Sequence, residues 1–297
     1  MASPQTLTAT PEIHDTPEET LSWGKWIRTG EWQDTADTAV PPLPALAQEI
    51  VNLSLDPDVS ASRITAIVSK DPVIATRVVQ LANSAFSASA TQIFSINQAV
   101  VRLGTGLVRN VMTSACLSAL AQDPRIYGNR GRDYIDHSVG TAYIAWLLAD
   151  TAGEPPSEAF LYGLLHDVGK LLIIKLGRQA GKYSVPTPSE EELAEVLADQ
   201  HTTVGAYLLR QWGLPKRLFD PLVWHHDPDR AEDCPKAAAV TYAANRLAHR
   251  YGFACEPDEF DPLQDPVFTK LGIDAPALAR VDEQAPVLFE LARKASH

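Results

Sequence analysis

The segment FLYGLLHDVGKLLIIKL, residues 160–176, most strongly limits how this chain can fold. Gly163, His166, Asp167 and Lys170 follow one another at positions i, i+3, i+4 and i+7, so on a continuous helix they share one face. The other positions are almost all apolar, which predicts a buried helix with a narrow polar stripe. Buried His, Asp or Lys side chains are costly without partners. The stripe therefore fits either a metal or ligand site, or a His–Asp pair held for structural reasons.

Helical periodicity also runs through the rest of the chain, and few segments alternate as strands do, which predicts an all-α protein. Residues 95–120, SINQAVVRLGTGLVRNVMTSACLSAL, are expected to form two helices that are separated at Gly104 and Gly106. A second helical block is expected from about residue 131 to residue 250. The last forty residues are expected to add one or two helices that pack on that block.

The charge distribution and the cysteines indicate a cytoplasmic protein without a general nucleic-acid-binding surface, although a local basic patch stays open. Of the net charge of −12, residues 1–40 and 256–297 each contribute −5. A general nucleic-acid surface requires an excess of Lys and Arg, which the chain lacks. Three cysteines without a CxxC pair favour a reducing compartment. We also expect no signal peptide and no membrane span.

Three tryptophans lie close together near the N-terminus, in WGKWIRTGEW. Trp23 and Trp26 are three residues apart and would share a helix face, and Trp32 follows. Residues 1–37 are otherwise polar and acidic, which predicts an N-terminal arm. The arm either docks its rings on the chain's own body or presents them to a partner.

Histidines recur between residues 137 and 226, in the order H…HD…H…HH. His137 and His201 are each expected to begin a helix, and His225 and His226 to end another. Each histidine taken singly fits a surface or hydrogen-bonded role. Together with His166 and Asp167 they offer the imidazole and carboxylate ligands that hold metals such as Mn, Fe, Ni or Zn in hydrolytic sites. Mg is a further candidate cofactor.

At this point the sequence resembles a known family. His137, LLHDVGK and WHHDP look like the HD superfamily of metal-dependent phosphohydrolases. The likeness is greatest to its HDOD branch, the HD-related output domains of bacterial signalling proteins. The segments PPLPALAQEIVNL, IVSKDPVIATRVVQLANSAF, SINQAVVRLG and HTTVGAYLLRQWGLP are also similar to HDOD signatures. The resemblance implies an HDOD domain at 38–250, with an N-terminal helical part at 38–125 and a multi-helical HD-like bundle at 126–250. Residues 251–297 would then form a C-terminal helical extension.

Carried over from active HD enzymes, the four core metal ligands would be His137, His166, Asp167 and residue 245. This sequence has Asn245 there instead of Asp, and losing the carboxylate weakens a divalent metal site. The resemblance to HD-GYP phosphodiesterases implies that His201, His225 and His226 are candidate additional ligands, but the chain contains no GYP signature. Lys170 is either a phosphate contact, as in those relatives, or a helix-end lysine paired with Asp167 or a carbonyl.

These features predict a stand-alone signalling module that is catalytically inactive or weak. It would act through contacts with signalling proteins, with a bound metal or a nucleotide second messenger as a regulator. The alternative is a metal-dependent phosphohydrolase that acts on a nucleotide or phosphoester and in which Lys170 steadies the phosphate. The chain has no recognisable receiver, kinase, GGDEF or helix-turn-helix domain, so we expect partners to supply input and output.

Overall fold

The computed structural model describes residues 22–35, 40–56, 58–83, 92–253 and 260–296; in the last helix, side chains are described to residue 285 and at Val287. Within those residues the regular elements are helical, which confirms the all-α prediction. The α-helices are α1 (Trp23–Thr29), α2 (Ala45–Ser54), α3 (Ala61–Val68), α4 (Pro72–Ala82), α5 (Ile96–Leu120), α6 (Pro124–Ala152), α7 (Pro156–Leu165), α8 (Val168–Arg178), α9 (Glu190–Gln211), α10 (Phe219–Val223), α11 (Pro235–Arg250), α12 (Pro266–Lys270) and α13 (Ala275–Ser296). Short 3-10 helices lie at Glu31–Thr35, Ala180–Tyr183, Lys216–Leu218, Pro228–Arg230 and Pro262–Gln264.

The N-terminal part of the body packs three short helices, α2, α3 and α4, against the long helix α5. The Ser60 hydroxyl accepts a hydrogen bond from the Arg63 N–H and so caps α3. The predicted break in the next segment is confirmed at Gly104, whose φ of +78° kinks α5. Helices α2 and α5 both contact α7, so this part of the body reaches the helix that ends one residue before His166.

The HD-like part is a bundle in which α6 lies at the centre. Helix α6 contacts α7, α8 and α11, and α8 packs closely on α9. His137 lies well inside α6, which runs from Pro124 to Ala152 with a kink at Gly128. His201 lies in the middle of α9. The prediction that these two histidines begin helices is therefore wrong, because the polar turns before them are already helical. His225 and His226 do follow the end of α10, as predicted.

Residues 160–176 do not form the continuous helix that their spacing predicts. Helix α7 ends at Leu165 and α8 begins at Val168, with His166 and Asp167 at the turn between them. Asp167 has φ −109° and ψ 8°, which redirects the chain at that point. The break places both side chains where two helix ends meet, instead of along one stripe.

The described part of the arm, residues 22–35, is docked on the body. Trp23, Trp26 and Trp32 are buried, with exposed fractions of 0%, 4% and 1%. The Trp26 ring stacks on Tyr183, and the Trp32 ring meets Tyr207 edge-on. Of the two hypotheses for this tryptophan cluster, docking on the chain's own body is confirmed. Residues 1–21 and 36–37 of the predicted arm lie outside the described residues.

Helix α13 packs on α6 and α5 near the C-terminus. The Arg246 guanidinium lies 3.9 Å from the centre of the Phe260 ring and 3.3 Å from an Asp265 carboxylate oxygen, which joins the segment before α12 to α11. Among the described helices, none is both long and apolar enough to cross a bilayer.

Candidate metal centre

Asp167 lies between two pairs of histidines. Its Oδ2 atom is 3.3 Å from Nε2 of His166 and 3.7 Å from Nε2 of His137. Its Oδ1 atom is 3.5 Å from Nε2 of His201 and 3.8 Å from Nε2 of His225. One buried carboxylate, at the turn between α7 and α8, thus faces side chains from three other parts of the bundle.

The histidines and Asp167 form two groups. Within each group, the ligand atoms all lie within 4.8 Å of one another. The first group is His137, His166 and Asp167, and the second is His201, His225 and His226. The Nε2 atoms of His201 and His226 are 3.1 Å apart. The structure therefore brings together all six His and Asp residues that the sequence singled out.

Hydrogen bonds to the backbone fix the orientation of three of the imidazole rings. In each case Nδ1 lies next to a main-chain carbonyl: 2.7 Å from His166 to Gly163, 2.8 Å from His201 to Leu197, and 2.7 Å from His225 to Leu222. A carbonyl oxygen can only accept, so Nδ1 of each ring carries a hydrogen, and wherever the ring is neutral its Nε2 has a free lone pair. Metal-binding histidines are commonly oriented in this way.

Burial favours the neutral form of four of the histidines. It lowers the pKa of His137 to about 3 and that of His226 to about 4. Burial also lowers the pKa of His201, and it holds the pKa of His225 well below the usual value. At neutral pH these rings are therefore imidazoles, the form that binds metals.

Asp167 and Lys170 form a close ion pair. The Lys170 Nζ atom lies 2.6 Å from Oδ2 of Asp167 and 5.2 Å from the centre of the Tyr134 ring. Burial opposes ionisation of Asp167, but His166 and Lys170 outweigh it and hold the pKa of this carboxyl well below its usual range. The pairing of Lys170 with Asp167 matches one of its two expected roles, and the phosphate contact stays a prediction.

Acceptor atoms from the two groups lie close together. The Nε2 atoms of His201 and His225 are 3.5 Å apart, and they lie 3.5 Å and 3.8 Å from Oδ1 of Asp167. Within the described residues, Oδ1 is buried and accepts no hydrogen bond. Converging lone pairs and a carboxylate oxygen repel one another unless a cation lies between them. The donor set therefore fits a divalent metal.

Asn245, the residue expected at the degenerate fourth ligand position, is buried in α11. No described side chain or backbone group donates a hydrogen bond to its Oδ1. One turn later on the same helix, His249 places its ring 4.9 Å from the ring of His137. We did not predict His249 at this site from the sequence, although its i+4 spacing from Asn245 is a signal that could have found it.

A close helix crossing holds the two groups together. A Cβ atom on Gly169 would lie 2.0 Å from the carbonyl oxygen of His201 and 2.6 Å from the amide nitrogen of Gly205. A Cβ atom on Gly205 would in turn lie 3.1 Å from the side chain of Leu222, whose carbonyl orients His225. The absence of side chains at these glycines lets α8 and α9 approach and brings His201 to Asp167.

A model of the HDOD domain family matches residues 40–228, which is more than half of the chain. The chain belongs to the HDOD domain family. This confirms the resemblance that the sequence motifs carry. The six His and Asp residues of the HDOD centre lie inside the matched region, whereas Asn245, the described arm and α13 lie outside it. The predicted boundaries at residues 38, 126 and 250 stay a prediction.

Two curated relatives of this HDOD protein match only part of their own length. An uncharacterized protein of Treponema pallidum is 26% identical over 223 residues, which are 71% of this chain and 42% of the relative. A ribonuclease Y of Thermus thermophilus is 32% identical over 118 residues, 40% of this chain and 17% of the relative. The chain therefore spans less than half the length of either relative.

Solved structures share the fold along nearly the whole chain. An HDOD domain protein of unknown function from Geobacter sulfurreducens aligns with a TM-score of 0.68 and 20% identity, covering 91% of this chain and 97% of the other. A candidate signal transduction protein from Marinobacter aquaeolei aligns with a TM-score of 0.70 and 24% identity. The alignment covers 93% of this chain and 67% of the other. At these identities the likeness shows the fold.

Proposed function

We propose that this HDOD protein is a signal-transduction module whose histidine–aspartate centre binds a divalent metal. It acts through contacts with other signalling proteins, and not mainly through hydrolysis. The facing acceptor atoms of His201, His225 and Asp167 carry this proposal, because a cation between them would turn a repulsive arrangement into a stable one. Membership of a family of signalling output domains supports the regulatory role.

The chemistry of the ligand atoms narrows the choice of metal ion. The two groups supply five imidazoles and one carboxylate. Imidazole suits Fe, Ni and Zn, whereas Mg²⁺ prefers oxygen ligands and retains its waters. We therefore expect Zn, Ni or Fe to bind more tightly than Mn, and Mg to bind weakly.

Burial of the centre favours regulation over turnover. His166 and Asp167 have exposed fractions of 0% and 2%, and His137, His201 and His225 are also buried. The more open side chains at the centre are those of Lys170 and His226. Asn245 also lacks the negative charge that an active HD centre has at that position.

A metal-dependent phosphohydrolase is the second candidate function, and the ion pair of Lys170 with Asp167 favours it. Lys170 is partly exposed and lies at the edge of the centre, where a cation could hold a phosphate. A metal bound here would polarise a phosphoryl oxygen and acidify its bound water. Because part of the chain is similar to ribonuclease Y, RNA phosphodiesters belong among the substrates to be tested.

Metal content tests the proposed centre directly. Protein purified without chelator is analysed by inductively coupled plasma mass spectrometry, beside Asp167→Asn. We expect about one metal per chain or more in the wild type and a loss of at least tenfold in affinity for Asp167→Asn. Asp229→Asn is the control, because Asp229 is an exposed aspartate paired with Lys270. A wild type that takes up no Zn, Ni, Fe or Mn would contradict the proposal.

Turnover separates the two candidate functions. The metal-loaded protein is assayed on a chromogenic phosphodiester and on RNA, with Mn²⁺ and Mg²⁺ added. We expect bound metal without turnover above that of Asp167→Asn. Turnover that is lost in both Asp167→Asn and Lys170→Ala would favour the phosphohydrolase instead.

A further inference from the structure

The described arm, residues 22–35, packs on α9, the helix that carries His201. The Trp32 ring lies 4.7 Å from that of Tyr207, and the amide of Gly24 donates a 2.7 Å hydrogen bond to Oε1 of Glu192. The arm therefore contacts α9 both before and after His201 in the sequence. These residues precede the region that the HDOD family model matches.

Arg28 adds an ion pair close to His201. Its Nε atom lies 2.8 Å from Oδ2 of Asp199, and a terminal nitrogen lies 3.9 Å from Glu195. Glu192, Glu195 and Asp199 are spaced i, i+3 and i+7 and form an acidic stripe on α9. Arg28 neutralises part of this stripe two residues before the histidine.

The arm and the metal centre lie on opposite faces of α9. At 100° per residue, His201 is about half a turn away from the stripe of Glu192 and Asp199. On the His201 side, α9 is pressed against Gly169 of α8. Helix α9 is thus held between α8 and the arm. A shift of α9 away from α8 would carry Nε2 of His201 away from Asp167.

We propose that docking of the arm positions His201 and so sets the metal affinity of the centre. Arg28 and Trp32 are then positioning residues for a site that they do not touch. This inference rests on the proposed metal centre. Because coupling is reciprocal, bound metal must also hold the arm more firmly on α9.

Charge reversal of Arg28 in the 297-residue chain tests the coupling. Arg28→Glu faces three acids instead of pairing with them, so we expect the affinity for Zn²⁺, measured by competition with a chromogenic chelator, to fall about fivefold. The combined variant Arg28→Glu with Asp199→Arg restores a pair and should recover most of that affinity. Lys70→Glu is the matched control, because it breaks an exposed ion pair with Glu49 that involves neither the arm nor a residue of α9, and it should leave the affinity unchanged.

Tryptophan emission and hydrogen exchange report on the arm itself. Release of the three buried arm tryptophans would shift emission to longer wavelength; if Arg28→Glu shows no shift, Trp32→Ala is added to it. In the wild type, Zn²⁺ should slow exchange of the amides of residues 24–30 at least threefold, as the reciprocal coupling requires. An arm that is released without loss of Zn²⁺ affinity, or equal exchange with and without Zn²⁺, would overturn this inference alone. A wild type that binds no metal would instead overturn the proposed function on which it rests.

Discussion

At the scale of single residues, Asp167 has the most demanding position, because its two oxygens face different histidines. The sequence supplied the residue types and their order, and so predicted that His137, His166 and Asp167 would be close together. Sequence could not reveal that His201 and His225 face Oδ1, because that depends on how three helices cross. His249 was missed because its one signal along the chain, the i+4 spacing from Asn245, is weak beside its position at an ordinary helix end.

The Asn245→Asp variant tests whether residue 245 belongs to the centre. A carboxylate beside bound metal should raise divalent affinity about tenfold. Without metal, the same carboxylate is a buried anion and should destabilise the fold. We therefore expect the thermal midpoint to fall in chelator and to recover with Zn²⁺.

Asn52→Asp is the matched control for this change, because Asn52 is exposed on α2. It should alter neither Zn²⁺ affinity nor the effect of chelator. If Asn245→Asp behaves like Asn52→Asp in both measurements, residue 245 lies outside the metal centre.

At the scale of helices, the sequence predicted most elements but misplaced their ends near the centre. Periodicity located the helices of the body, and the glycine at 104 marked a real kink. Periodicity failed at His166 and Asp167, because neither of the two residues at the break is a proline or a glycine and the apolar pattern continues across it. It also failed at His137 and His201, because polar residues precede both and hide the helical turns before them.

The Gly169→Ala variant tests the crossing of α8 and α9. Its new methyl group would meet main-chain atoms of His201 and Gly205, which cannot rotate away. We expect the free energy of unfolding to fall by about 2 kcal/mol in urea, as for an overpacked core. Zn²⁺ affinity should fall as well, since α9 must move.

Gly106→Ala provides the control, because a methyl group there meets no atom within 4 Å. In a helix this change should be neutral or stabilising by up to about 1 kcal/mol. Equal stability of the two alanine variants would show that the close approach at Gly169 is not needed.

At the scale of the whole molecule, elements from both ends of the chain pack around the matched HDOD region. The arm covers α9, and α13 covers α6 and α5. The family resemblance predicted the helical fold of the body. For the arm, the sequence left two hypotheses open, docking on the body and binding to a partner. Burial of tryptophans depends on a surface elsewhere in the chain, which local sequence does not describe.

Removal of metal should lower the stability of the entire molecule. A ligand at about one hundred times its Kd raises the free energy of unfolding by about 2.7 kcal/mol, provided that it binds only the folded chain. For a chain of this size we expect the thermal midpoint to fall by about 5 °C or more when metal is removed. Differential scanning calorimetry with Zn²⁺ and with EDTA measures this. Asp167→Asn should show no difference between the two conditions.

The placement of the six His and Asp residues has a further consequence for how the chain unfolds. They belong to four separate stretches, in α6, at the α7–α8 turn, in α9 and after α10. A metal held by all of them would tie these stretches together as a reversible crosslink that closes several loops at once. Like a disulfide, such a tie restricts the unfolded chain most when the loops are long. Escape of the ion would then become the slow step of unfolding, so the lifetime of the native state would depend on chelator concentration.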